Sequence, residues 1–192
     1  MNYVLLALSW IIFYALHTLL AASKLKRILE VKWGEAYKWY RLTYTLISLL
    51  LLLGVMVQAV LIPKTILIPK GDVTDYLGYM LAGFGTIIAT KSSKNYSIKR
   101  FLGINPAQNE SEELITTGLY SKVRHPLYAG LVLIFLGYFI FAGTISSVVH
   151  LGCLLLYLPF GIYFEEQNLV VQFGEAYQKY KSSVPAVIPK LW

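Results

Sequence analysis

The sequence predicts an all-α integral membrane bundle of five transmembrane helices that ends in a helical hairpin and a cytoplasmic amphipathic helix. Apolar residues make up 57% of the 192 residues and charged residues only 14%, against roughly 25% charged in an average soluble domain. The mean hydropathy is +0.59. Several uncharged runs also reach the length of about 20 residues that a helix needs to cross the hydrocarbon core. We therefore expect one membrane domain over residues 1–192.

Residues 1–90 are expected to form three transmembrane helices. The first uncharged run, Tyr3–Ala22, is too long for a removable signal peptide and lacks the basic start and small-residue cleavage site of one. Two more mostly apolar runs follow, at Leu42–Ile62 and Thr74–Thr90, the latter with one charged residue, Asp75. The third run is the shortest of the three.

The fourth and fifth helices are expected to form an antiparallel hairpin. The run Leu127–Phe164 contains no charged residue over 38 positions, which is nearly twice the length of one span. Ala142-Gly143-Thr144 lies near its middle, where glycine tolerates the dihedral angles of a tight turn. The sequence thus predicts that the chain folds back at these three residues.

The basic residues predict the orientation in the membrane. Lys64 and Lys70 are the only two of the 17 Lys and Arg residues in the loops assigned to the outer side. The basic excess in the other loops marks the cytoplasmic side. The N-terminus is expected outside and the C-terminus in the cytoplasm, in the inner membrane. Nucleic-acid binding is disfavoured because membrane insertion already explains the net charge of +7.

Two charged motifs are expected to meet at the cytoplasmic face. Arg124-His125-Pro126 precedes the fourth helix, with Pro126 suited to a first helical turn, and Glu165-Glu166 ends the fifth. The antiparallel hairpin brings these points together, and ionisable residues at that depth are usually functional. A purely structural salt-bridge cluster is the alternative. Apolar residues continue at helical spacing beyond Glu166, which predicts that the fifth helix extends toward Pro185; they are Leu169, Val170, Phe173, Ala176, Tyr177 and Tyr180.

The motif residues resemble a known family. Residues 117–130 read TGLYSKVRHPLYAG and resemble the G-x-Y-x-x-x-R-H-P-x-Y-x-G signature of isoprenylcysteine carboxyl methyltransferases and phospholipid methyltransferases. Glu165-Glu166, FGEAYQKY at 173–180, and the prolines at 185 and 189 are similar to its second half. The resemblance covers residues 98–192. LHTLLAAS at 16–23, YRLTY at 40–44 and FLG at 101–103 resemble a bacterial branch with thiol-methylating and NnrU-type members.

The resemblance implies an S-adenosylmethionine-dependent methyltransferase whose catalytic half is residues 91–192. It implies Arg124 and Glu166 as catalytic residues. The implied cofactor-binding residues are Gly118, Tyr120, Val123, His125, Tyr128, Gly130, Glu165 and Glu166. No strand–loop–helix unit with a glycine-rich loop is predicted, so the pocket is expected to be helical. No metal site is expected, and the single Cys153 gives neither a disulfide nor a cysteine-based cluster.

The sequence leaves the methyl acceptor open. The candidates are a hydrophobic or lipid-like acceptor such as a prenylated cysteine carboxylate, a phospholipid amine and a small thiol. A non-catalytic lipid-binding membrane protein is the alternative from another functional class. His17 and His150 are expected at opposite sides of the bilayer, which prevents them from sharing one haem iron. His17 could line the pocket, and His150 is expected to be a core or interfacial histidine.

Overall fold

The structure, a computed structural model, describes residues 1–93 and 113–190. Regular secondary structure in these two ranges is helical. The α-helices are α1 (Asn2–Ala21), α2 (Ser23–Trp33), α3 (Tyr40–Leu61), α4 (Asp72–Ser93), α5 (Pro126–Ala142), α6 (Ile145–Phe173) and α7 (Glu175–Ser183), with short 3-10 helices at Gly34–Trp39 and Gly118–Ser121. The FLG stretch at 101–103 and most of the polar segment before the motif lie outside the described residues.

Within the described residues, three stretches are long and apolar enough to cross a membrane: Asn2–Ala21, Lys24–Leu61, which contains α3, and Ile145–Phe173. The all-α membrane fold is therefore confirmed, whereas the count of five crossings stays a prediction. Five crossings require α4 and α5 to span the membrane as well. α4 begins at Asp72 and ends beyond Lys91. The 17 residues of α5 correspond to about 25 Å at 1.5 Å per residue.

The predicted turn of the hairpin is confirmed. Gly143 ends α5 with the left-handed angles φ 60° and ψ 26°, a conformation that favours glycine. Thr144 then caps α6, because its side chain accepts a hydrogen bond from the backbone N–H of Ser147 while the Ser147 hydroxyl accepts one from the backbone N–H of Thr144. The loop before α4 contacts this turn, because Leu67 N–H donates a hydrogen bond to the Gly143 carbonyl.

Glycines bring the backbones of α4 and α5 into direct contact. A Cβ atom added to Gly130 would lie 2.7 Å from the Gly85 carbonyl oxygen, and one added to Gly137 would lie 2.6 Å from the Gly78 carbonyl oxygen. Small residues allow this close approach between helices. Gly130, which the resemblance implied as cofactor-binding, is thus buried in a helix–helix contact.

The fifth helix continues past the glutamates, as predicted, but it does not reach Pro185 as one helix. α6 ends at Phe173, and Gly174 with φ 57° separates it from α7. A residue with a side chain rarely adopts this backbone conformation. The break turns α7 back toward the start of α5, where Tyr177 and Tyr180 are buried.

Candidate active site

A cluster of four charged or ionisable side chains joins the start of α5 to α6 and α7. Arg124 donates to Oε1 of Glu166 through Nε at 2.9 Å and Nη2 at 2.6 Å. His125 Nε2 lies 3.2 Å from the same oxygen. Lys181 Nζ lies 2.7 Å from Oε2. The predicted meeting of the two motifs is therefore present, and both oxygens of Glu166 already have cationic or hydrogen-bonding partners.

The segment that follows α7 fixes the backbone of the same motif. Arg124 N–H donates to the Pro185 carbonyl at 2.8 Å, and His125 N–H donates to the Ala186 carbonyl at 2.9 Å. The Arg124 side chain also donates to the carbonyls of Lys181 and Val184. Residues 184–186 thus form a strap that holds the motif at the N-terminus of α5.

The two adjacent glutamates have different surroundings. The Glu166 side chain is 6% exposed and the Glu165 side chain 46%. Glu165 keeps a longer contact to His125, with 3.5 Å between Oε2 and Nδ1, and lies on the wall of a cavity together with Tyr128. Glu165 is therefore the carboxylate of the pair that a ligand can reach.

This cavity has a volume of about 2290 Å³ and extends from the charged cluster into the space between the membrane helices. One end is lined by polar and aromatic residues, which include Tyr120, Arg124, His125, Glu165, Asn168 and Gln172. Its other end reaches residues of α1, α3 and α6, which include Tyr14, His17, Tyr44, Ser48, Cys153 and Tyr157. The cavity exceeds the roughly 300–1,000 Å³ of a typical ligand pocket, so two ligands can fit.

Tyr177 of α7 lies behind the charged cluster and lines the cavity. Its side chain is 1% exposed, and it lies next to Glu166 and Arg124. Burial, and then the neighbouring Glu166 carboxylate, raise the pKa of Tyr177. The hydroxyl therefore stays protonated.

The structure divides the sequence-predicted residues into two groups. Tyr120, Arg124, His125, Tyr128 and Glu165 line the cavity. The others do not form part of its described wall: Gly118, Val123, Gly130 and Glu166. Gly118 starts a 3-10 turn with φ 65°, and Val123 is buried, so both shape the loop that carries the motif.

Sequence reasoning missed several polar residues near the cavity. Asn168 and Gln172 follow Glu165 at three and seven positions along α6, and this spacing on one helical face was a signal that could have identified them. Lys181, Tyr44 and Ser48 had no such signal, because other elements of the fold bring them to the site.

Comparison with known proteins identifies the family. A family model described as phospholipid methyltransferase matches residues 73–176, which extend from α4 to the start of α7. The chain belongs to the phospholipid methyltransferase family. This match contains the Arg124-His125-Pro126 motif and both glutamates.

Curated relatives of this family member carry methyltransferase names. Methanethiol S-methyltransferase 2 of Bradyrhizobium diazoefficiens is 29% identical over 161 residues, covering 79% of this chain and 60% of the relative. Methanethiol S-methyltransferase of Crocosphaera subtropica is 31% identical over 156 residues, covering 78% and 60%. Protein-S-isoprenylcysteine O-methyltransferase of Schizosaccharomyces pombe is 38% identical over 84 residues, covering 43% and 35%. The chain thus spans about three fifths of the length of the first two, and no solved structure matches it.

The residues at the polar end of the cavity fit S-adenosylmethionine, the methyl donor that membership of the phospholipid methyltransferase family suggests. The donor carries an ammonium, a carboxylate, ribose hydroxyls and a flat adenine. Glu165 offers an accessible carboxylate, Tyr120 and Tyr128 offer aromatic rings, and Asn168 and Gln172 offer amides. These groups suit the ammonium, the ribose hydroxyls and the adenine of the molecule.

Proposed function

We propose that the chain is a membrane methyltransferase that uses S-adenosylmethionine and methylates a hydrophobic acceptor entering from the bilayer. The cavity carries this proposal, because it is charged and polar at one end and lies between apolar helices at the other. An acceptor dissolved in the hydrocarbon and a polar donor from the cytoplasm can approach each other along it. The methyltransferase names of the relatives support the same reaction.

In this proposal the residues of the C-terminal half, 91–192, bind the donor. Glu165 accepts hydrogen bonds from the ribose or ammonium group of the donor. Glu166 holds Arg124 and His125 in place, and the parts of these two side chains that face the cavity shape its polar end. Bound S-adenosylmethionine supplies a methyl group on a cationic sulfur. The protein then has to orient the methyl donor and the acceptor and to exclude water, and both effects accelerate reactions in enzymes.

Binding of S-adenosylhomocysteine to the purified chain in detergent tests the proposal. We expect saturable, one-site binding by calorimetric titration, with an affinity that drops when Glu165 is replaced. Adenosine alone, which lacks the amino-acid part, should bind more weakly. A wild-type protein that shows no heat of binding would support the alternative of a non-catalytic lipid-binding membrane protein.

The proposal includes the orientation of the chain in the membrane, which cysteine labelling can test. The basic excess predicts the loop between α3 and α4 outside and the strap at 184–186 in the cytoplasm. Single cysteines at positions 68 and 187, in a Cys153→Ser background, should therefore react with a membrane-impermeant reagent on opposite sides of the inner membrane. Equal labelling of both positions in intact cells would contradict this orientation.

A further inference from the structure

The inner part of the cavity contains a polar cluster that the donor site leaves unexplained. His17 of α1 lies between two hydroxyl groups of α3: its Nδ1 is 3.1 Å from Ser48 Oγ, and its Nε2 is 3.1 Å from the Tyr44 hydroxyl. All three side chains are half-buried and line the cavity. They belong to α1 and α3, whereas Arg124 and Glu165 belong to the C-terminal half of the chain.

Aromatic rings surround this histidine. Phe13 stacks on the imidazole with ring centroids 5.7 Å apart, and Tyr44 lies at 5.3 Å. Next to them Tyr14 stacks on Tyr157 at 4.1 Å. His17 lies four residues before the end of α1, which is about 6 Å along the helix. Aromatic rings therefore enclose the imidazole and its two hydroxyl partners.

We propose that the cluster of His17, Tyr44 and Ser48 binds a small alkyl thiol as methyl acceptor and that His17 takes its proton. This inference rests on the proposed methyltransferase function. With Nδ1–H donated to Ser48, Nε2 carries the lone pair and lies 3.1 Å from the Tyr44 hydroxyl, a contact that the entering thiol replaces. The thiol S–H bond breaks and an N–H bond forms at Nε2, which leaves a thiolate next to an imidazolium. The thiolate is the nucleophilic form of the thiol.

The surroundings favour a thiol over the other two acceptors. A carboxylate acceptor has no proton to lose, so it gives the imidazole no role, and it would enter this aromatic site as an ion. An amine headgroup is protonated at neutral pH and would carry the same desolvation cost. An alkyl thiol enters neutral and ionises only beside the base.

Ionisable groups that line the cavity on the helices packed around His17 could also affect the pH dependence. Tyr14 belongs to α1 itself. The others are Arg41 and Tyr44 on α3, Tyr128 on α5, and Cys153, Tyr157 and Glu165 on α6. His17 is the only imidazole in the described wall away from the charged cluster, so removing it tests the base specifically.

The test uses the full chain in lipid nanodiscs with butanethiol as the probe. General-base catalysis contributes about 10²–10⁴-fold, so we expect His17→Gln to lower methylation of butanethiol at pH 7 by at least about 10²-fold. The loss should shrink as the pH rises and free thiolate accumulates. The affinity for S-adenosylhomocysteine should be unchanged, which distinguishes loss of the base from loss of the donor site.

His150→Gln is the matched control. His150 is a buried core histidine that accepts a hydrogen bond from Trp10 Nε1 at 2.7 Å, it is not in the described wall of the cavity, and glutamine can accept the same bond. Its methylation rate should equal that of the wild type. A His17→Gln protein with the wild-type rate at pH 7 would overturn the proposal.

A second measurement needs no variant and no methyl donor. Butanethiol bound to the wild-type protein should show thiolate ultraviolet absorbance at a lower pH than butanethiol in water. If the bound thiol ionises no more readily than the free one, the assignment of His17 is wrong. If the wild-type protein binds S-adenosylhomocysteine but does not ionise the thiol, only the assignment of His17 is wrong. If it does not bind S-adenosylhomocysteine, the proposed function itself is contradicted.

Discussion

Replacing Glu165 with glutamine is expected to weaken S-adenosylhomocysteine binding about 10- to 150-fold without lowering the stability of the unliganded protein. Glu165 lines the cavity with 46% of its side chain exposed, so it is free to accept hydrogen bonds from a ligand. Loss of a charged hydrogen-bonding partner costs about 1.5–3 kcal/mol, which corresponds to that range. Calorimetric titration in detergent measures the affinity, and a thermal melt measures the stability.

Glu175→Gln is the control for this prediction. Glu175 is exposed at the start of α7 and is not in the described wall of the cavity. Its replacement removes the same charge from a position ten residues further along the chain. If both variants lose affinity to the same extent, general electrostatic attraction and not a direct contact explains the role of Glu165. If neither variant changes binding, the proposed donor site is in the wrong place.

Replacing Glu166 with glutamine is expected to lower the stability of the unliganded protein strongly, in contrast to the replacement of Glu165. The carboxylate is buried and contacts Arg124, His125 and Lys181. Removing one partner of a buried ion pair typically costs 3–5 kcal/mol, since the remaining charge is left without compensation. At roughly 2–4 °C per kcal/mol for a chain of this size, the melting midpoint should fall by roughly 6–20 °C.

Lys181→Met separates the buried part of the cluster from its exposed part. The Lys181 side chain is 46% exposed, and exposed ion pairs contribute about 0–1 kcal/mol, so this variant should melt close to the wild type. A Glu166→Gln protein that melts like the wild type but binds S-adenosylhomocysteine weakly would show that Glu166 serves the ligand. That result would support the sequence-based expectation that both glutamates contact the cofactor.

The sequence determined the helical organisation around the site, because this organisation depends on local patterns. Uncharged runs of the length of the bilayer predicted α1, α3 and the α5–α6 hairpin, and Gly143 marked the turn between the last two. An antiparallel hairpin with equal arms must return its end to its start. The proximity of Arg124 and Glu166 could therefore be predicted across 42 positions without knowledge of any side-chain contact.

Only the tertiary structure decided which groups face the cavity. Adjacent residues on a helix point about 100° apart, so the rotation of α6 sends Glu165 to the cavity and Glu166 to the charged cluster. The sequence shows the pair but not the rotation. Likewise, the break at Gly174 turns α7 back and brings Lys181 and the strap to Arg124. The cluster of His17, Tyr44 and Ser48 requires α1 and α3 to pack side by side, and that packing depends on contacts between residues distant in sequence.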